Sequence, residues 1–286
     1  MSKTQKIMVV LASIMIVVAS VMLFRTLREY KIAENEYDGL NKYVTTGAEE
    51  EAPDDWVPGE TKQIKNGGVE KYQFARNYKR SDFPDMQIDF KGLREVNPEV
   101  VAWLYVGAVN ISYPVVQKPE DKDNTYYLHH TFEQYRPEDP ENSSGCIFMD
   151  SAVDPQLTSW NTFIYGHNMK NGSMFGSLRK FINNHKLYDK DPYIYIFREE
   201  GIYRYKIYSF YLDTPDSKMY WTCKTLKQYR AYVRTARENA VYDCQTPANE
   251  EDNTVTLVTC SGSGAGKKRF FVHGISQDCY LYPPSR

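Results

Sequence analysis

The sequence predicts a mostly β domain, a barrel or sandwich of eight short strands, set behind one apolar N-terminal helix. Three observations carry that expectation. Short runs rich in Val, Ile and Tyr recur with turn residues between them, only one long stretch has clear helical periodicity, and one uncharged apolar run lies close to the N-terminus.

The apolar run comes first. Ile7 to Phe24 contains no charge and follows Lys3 and Lys6, which is just long enough to cross a bilayer as a helix and longer than the core of a cleaved signal peptide. Residues 1–28 are therefore expected to form a retained membrane anchor. Arg25, Arg28 and Lys31 on its far side rival the flanking lysines, so charge alone does not orient it. Residues 29–71 are polar, with acidic stretches at Glu49–Glu51 and Asp54–Asp55, and predict a stalk that is helical before Gly47 and loose after it. The folded body is expected over residues 72–286. Its strands are predicted at Val100–Val106, Ile111–Gln117, Gly145–Met149, Thr162–Tyr165, Tyr193–Phe197, Tyr203–Leu212, Thr254–Thr259 and Arg269–Ile275. Between Leu226 and Ala240, apolar residues return every three or four positions (Leu226, Tyr229, Val233, Ala236) and predict an amphipathic helix. Met174 to Phe181 reads as a shorter one.

Composition narrows the function. A formal charge of -2, with no Lys/Arg cluster interleaved with aromatics, argues against nucleic acid as a partner. The five cysteines show no CxxC and no Cys/His ligand spacing, so neither a metal site nor a cofactor is expected. An odd count leaves two arrangements open: some cysteines pair and one stays reactive, or all are free and mostly buried.

The chemistry is expected at strand ends. Thr254–Thr259 alternates and is β-branched, and it delivers Cys260 to a loop of small residues, Ser261 to Gly266, where a bulky polypeptide could reach a thiol. If the strand that begins at Arg269 pairs with it as an antiparallel hairpin, Cys260 and Arg269 fall on the same rim. A guanidinium there can donate to a developing oxyanion. A Cys nucleophile also needs a group that accepts its proton and later returns it to a leaving amine. Among the five histidines, His167 ends a strand-like run and is the candidate; His273 is mid-strand and reads as packing, and His129–His130 as a surface turn.

These residues resemble the sortase family. Thr256-Leu257-Val258-Thr259-Cys260 matches its TLxTC signature, Arg269 follows nine residues later, and the order His, Cys, Arg agrees. Further segments are similar to class B sortases: Ile88 to Phe90 with Asn97 to Leu104, Tyr113 to Gln117, Gly145 to Asp150, and Tyr165 to Phe175. The resemblance implies a closed eight-stranded β-barrel with N-terminal helices, a helix between the sixth and seventh strands, and a transmembrane helix that leaves the domain outside a Gram-positive cell. It also implies transpeptidation. Cys260 would cleave a sorting signal of the LPxTG or NPQTN type after its Thr through a thioester, and an amine from a peptidoglycan precursor or a pilin would resolve it. His167 would act as acid/base, Arg269 as clamp, and Thr259 and Asn168 would contact the substrate. The chain departs from the class at Val258, where a Ser is common, and in the short Gly/Ser loop after Cys260.

Two other cysteine enzymes fit less well. A papain-like protease places Cys before His, and an L,D-transpeptidase needs His-Gly directly before its cysteine, where Val258-Thr259 stands. A non-catalytic alternative is a membrane-tethered β-barrel that only binds or scaffolds peptides.

Overall fold

In the computed structural model, residues 2–47, 64–66, 69–71, 75–77, 79–248, 252–260 and 268–282 are described. Eight strands form the body: β1 Val100–Val106, β2 Ile111–Val116, β3 Ile147–Met149, β4 Asn161–His167, β5 Tyr193–Arg198, β6 Gly201–Asp213, β7 Thr254–Cys260 and β8 Arg269–Leu281. Every expected strand is present, with ends shifted by a few residues. Their order around the sheet is β6-β5-β1-β2-β3-β4-β7-β8, and β8 pairs back onto β6, which closes the barrel. Two neighbouring pairs are parallel, β2 with β3 and β4 with β7. Ala75–Arg76 adds a short edge to β8.

The barrel closes because its strands are buried on both faces. Along β7, Val255 and Leu257 join the interior cluster with Trp103, Phe197 and Val272, whereas Val258 faces outward into a second cluster. That outer cluster is covered by the helix α5, Leu226–Glu238, which lies between the sixth and seventh strands. Thr225 caps it by accepting from the Gln228 N–H, and Tyr229, Tyr232, Val233 and Ala236 form its buried stripe. The Tyr232 hydroxyl meets Thr256 Oγ1 at 2.7 Å, and Thr256 Oγ1 meets His273 Nδ1 at 3.0 Å. Burial pushes His273 down to about 3, so this imidazole is a neutral packing and hydrogen-bonding group, as expected from its mid-strand position.

Two local expectations are corrected. Met174 to Phe181 is not one helix: a 3-10 turn covers Phe175–Ser177 and a short helix, α3, covers Lys180–Asn183. Met174 has φ 50°, and a side chain at Gly176 would collide with the Met169 carbonyl oxygen, so the chain folds back tightly where helical periodicity would have run on. His130 is not on the surface. It is 8% exposed, stacks on Tyr126 with ring centroids 4.0 Å apart and has Nδ1 2.8 Å from the Tyr126 carbonyl.

The N-terminal helix α1 runs unbroken from Lys3 to Leu40. Its apolar first part is long and apolar enough to cross a membrane and is not buried by any of the described residues. Its last turns dock on the body, where Ala33, Tyr37 and Leu40 are buried. The segment expected to be a stalk is thus helical and packed up to Leu40; the acidic stretches at 49–51 and 54–55 lie outside the described residues. Among the described residues, Cys146, Cys223, Cys244 and Cys279 are buried thiols.

Candidate active site

Strand pairing assembles the candidate residues. In the parallel β4–β7 pair, Cys260 is the register partner of His167. On the other side of β7, the antiparallel register runs from Thr254 opposite Ile275 to Val258 opposite Phe271, which carries Cys260 to the level of Arg269. His167, Cys260 and Arg269 therefore occupy one row across three adjacent strands about 4.8 Å apart. Alternation places His167 and Arg269 on the outer face, the one covered by α5 further down the strands, since Phe163 and Phe271 lie there.

His167 is half-buried at the end of β4. Its Nε2 lies 2.6 Å from the Leu128 carbonyl oxygen, and a carbonyl can only accept, so Nε2 carries the proton and Nδ1 is left as the acceptor. Gly145 packs against the same edge of the ring: a side chain there would come within 2.8 Å of His167 Cδ2 and 3.0 Å of the Leu128 carbonyl oxygen. Burial lowers the His167 pKa below the ordinary value, with the nearby His129 and Arg269 adding to the shift and the Leu128 bond opposing it. That direction favours the uncharged ring.

Arg269 Nη1 reaches the Thr259 carbonyl at 3.5 Å, the long limit of a hydrogen bond, and its Nε is buried without a partner among the described residues. A buried guanidinium with donors unspent can receive negative charge from a ligand. Thr259 is fully buried, and its hydroxyl accepts from the Phe270 N–H at 2.8 Å. That bond ends the β7–β8 ladder and seats the cysteine position. Asn168, next to the histidine, keeps its Oδ1 buried and without a partner among the described residues, while its backbone bridges to Met174. The loop 261–267, including Lys267, lies outside the described residues.

Beside the row is a cleft of about 270 Å³, lined by Asn124, Leu128, Tyr165, Val258, Thr259 and Arg269 among others. A larger open hollow of about 730 Å³ lies between Arg237 and the turn from Val241 to Pro247, and it contains none of the candidate residues. The smaller cleft is the one that adjoins chemistry. No group of His, Cys, Asp and Glu among the described residues could hold a metal ion.

The family profile described as "Sortase domain" matches residues 104–276. The chain belongs to the sortase family. Among its relatives, Sortase B of Listeria monocytogenes is 29% identical over 179 residues, covering 62% of this chain and 68% of that protein. The crystal structure of Clostridium perfringens Sortase B superposes with a TM-score of 0.58 at 29% identity, covering 66% of this chain and 99% of that one. A Staphylococcus aureus sortase B–substrate complex shares the fold, with a TM-score of 0.58 at 24% identity over 68% of this chain and 85% of that one. This sortase is accordingly a cysteine transpeptidase of class B, and the non-catalytic scaffold reading falls away. Sequence reasoning missed Leu128 and Gly145, which hold the histidine through backbone atoms.

Proposed function

We propose that this sortase cleaves a C-terminal sorting signal of the LPxTG or NPQTN type after its Thr and joins the new carboxyl end to an amine of a peptidoglycan precursor or a pilin. The row of His167, Cys260 and Arg269 beside an open cleft supports this most. The Cys260 sulfur adds to the scissile carbonyl as the thiol proton passes to His167 Nδ1, and the resulting oxyanion accepts from the Arg269 guanidinium. Collapse breaks the C–N bond, and the imidazolium returns its proton to the departing amine. An incoming amine then attacks the thioester, loses its proton to His167, and regenerates the Cys260 thiol. In this reading Asn168 and Thr259 contact the substrate: Asn168 adjoins His167 and keeps a buried side-chain oxygen unspent among the described residues, and Thr259 bounds the cleft.

In this reading residues 1–28 anchor the enzyme in the cell membrane as a single pass, residues 29–71 connect it, and residues 72–286 work outside a Gram-positive cell. Its partners are surface proteins that carry the sorting signal. Incubating the full-length protein in detergent with a peptide library and amine acceptors, and reading products by mass spectrometry, tests the reaction. Peptides cut after Thr and joined to the amine are expected; cleavage elsewhere, or no joined product with any amine, would contradict it.

A further inference from the structure

The two groups that seat His167, the Leu128 carbonyl and Gly145, lie on one segment, residues 126–146. That segment is stitched to itself: the Cys146 N–H donates to the Tyr127 carbonyl at 2.9 Å and the Asn142 N–H to the His129 carbonyl at 2.7 Å. Its outer side is held by α1. The Glu29 carboxylate accepts from the Ser143 hydroxyl at 2.6 Å, and the Glu36 carboxylate accepts from the Thr131 hydroxyl at 2.7 Å and from the Glu133 N–H at 2.8 Å. Deepest of all, the buried Tyr37 hydroxyl donates to the Gly145 carbonyl at 2.8 Å, while its ring meets Tyr113 edge-on with centroids 5.5 Å apart. Glu29, Ala33, Glu36, Tyr37 and Leu40 recur at three- and four-residue steps and so form one face of the helix.

We propose that Tyr37 is a positioning residue for His167: by holding the Gly145 carbonyl, it fixes the segment that presents the imidazole to Cys260. The continuous helix that begins in the apolar N-terminal run thus ends as a buttress of the catalytic base. The proposal rests on the transpeptidase reading of His167 for its kinetic consequence and on geometry alone for its structural one. Without the Tyr37 bond, Gly145 and Leu128 are free to drift from the ring. Nδ1 then meets the thiol less often, and water gains access to an imidazole whose lowered pKa comes first from burial. Tyr37 lines no part of the cleft beside Arg269, so peptide binding is left as it is.

The test uses the full-length chain in detergent with Tyr37→Phe, which keeps the ring and removes one hydrogen bond. Loss of about 1 kcal/mol of positioning corresponds to a fall in kcat of about fivefold, with KM changed less than twofold. The His167 titration, read by NMR of its ring protons, is expected to move up toward the ordinary histidine value. Wild-type kcat together with a wild-type titration would overturn the proposal, as would a rise in KM at constant kcat. If the wild-type protein turns over no sorting peptide, the functional reading fails, and the His167 titration still decides the positioning. Should Tyr37→Phe not fold, Glu29→Ala at the half-exposed start of the same latch is expected to act in the same direction at about twofold, and no change in either readout would overturn the idea.

Discussion

At the scale of single residues, the site depends on what each side chain has left to give. His167 spends Nε2–H on Leu128 and keeps Nδ1. Arg269 spends one long bond on Thr259 and keeps Nε, although it is buried. In the proposed reaction Arg269 acts through its planar fork of donors as well as its charge, because a tetrahedral oxyanion needs donors at fixed positions. Arg269→Lys keeps the charge and loses the fork. Turnover of a fluorogenic sorting peptide is expected to fall about a hundredfold, the lower end of the range for losing an oxyanion donor. Activity within twofold of wild type would shift the role to Lys267 or Lys268. His167, Cys260 and Arg269 were all legible as candidates from their strand-end positions. Leu128 and Gly145 were not, because a carbonyl oxygen and an absent side chain look the same in a sequence whether or not a catalytic ring rests on them.

At the scale of elements, the alternating β-branched runs announced the strands and the stripe on α5 announced the helix, since both patterns follow from one-sided burial. The parallel pairing of β4 with β7 had no such mark. Strands that pair across more than eighty residues leave no local trace, so the adjacency of His167 and Cys260 was available only through family resemblance. The docked part of α1 was obscured differently: its stripe of Ala33, Tyr37 and Leu40 is thin and embedded among charges. Docking also buries an acid. Burial pushes the Glu36 carboxyl up to about 7, with the nearby Glu133 carboxylate adding to it, and this outweighs the donors from Thr131 and the Glu133 N–H. The folded-state value lies above the unfolded one, so the docked helix binds an extra proton between the two. Its stability is full below about 4.5 and is lost as pH rises through about 7. Hydrogen-exchange protection of the amides of residues 29–40, corrected for intrinsic rates, is expected to fall about tenfold between pH 6 and pH 8. Glu36→Gln should flatten that dependence, and protection that rises with pH would contradict it.

At the scale of the whole molecule, one long helix and one closed barrel set where the reaction can occur. From Phe24 to Tyr37, α1 rises about 20 Å, so a helix that crosses a membrane would carry the catalytic row a short, fixed distance from its surface. That placement suits donors and acceptors that are themselves held at the membrane. Barrel closure through β6 and β8 holds the β4-β7-β8 wall rigid, so three residues far apart in the chain keep one register. In the proposed mechanism Cys260, lying between His167 and Arg269 in that register, forms the thioester. Full-length enzyme incubated with a sorting peptide and no amine, quenched in acid and digested, should yield the Cys260-containing fragment bearing the mass of the peptide up to its Thr. Adding an amine should discharge that adduct to the amide, and Cys260→Ala should form neither. Cleavage with no mass on Cys260, or turnover that survives Cys260→Ala, would contradict the mechanism.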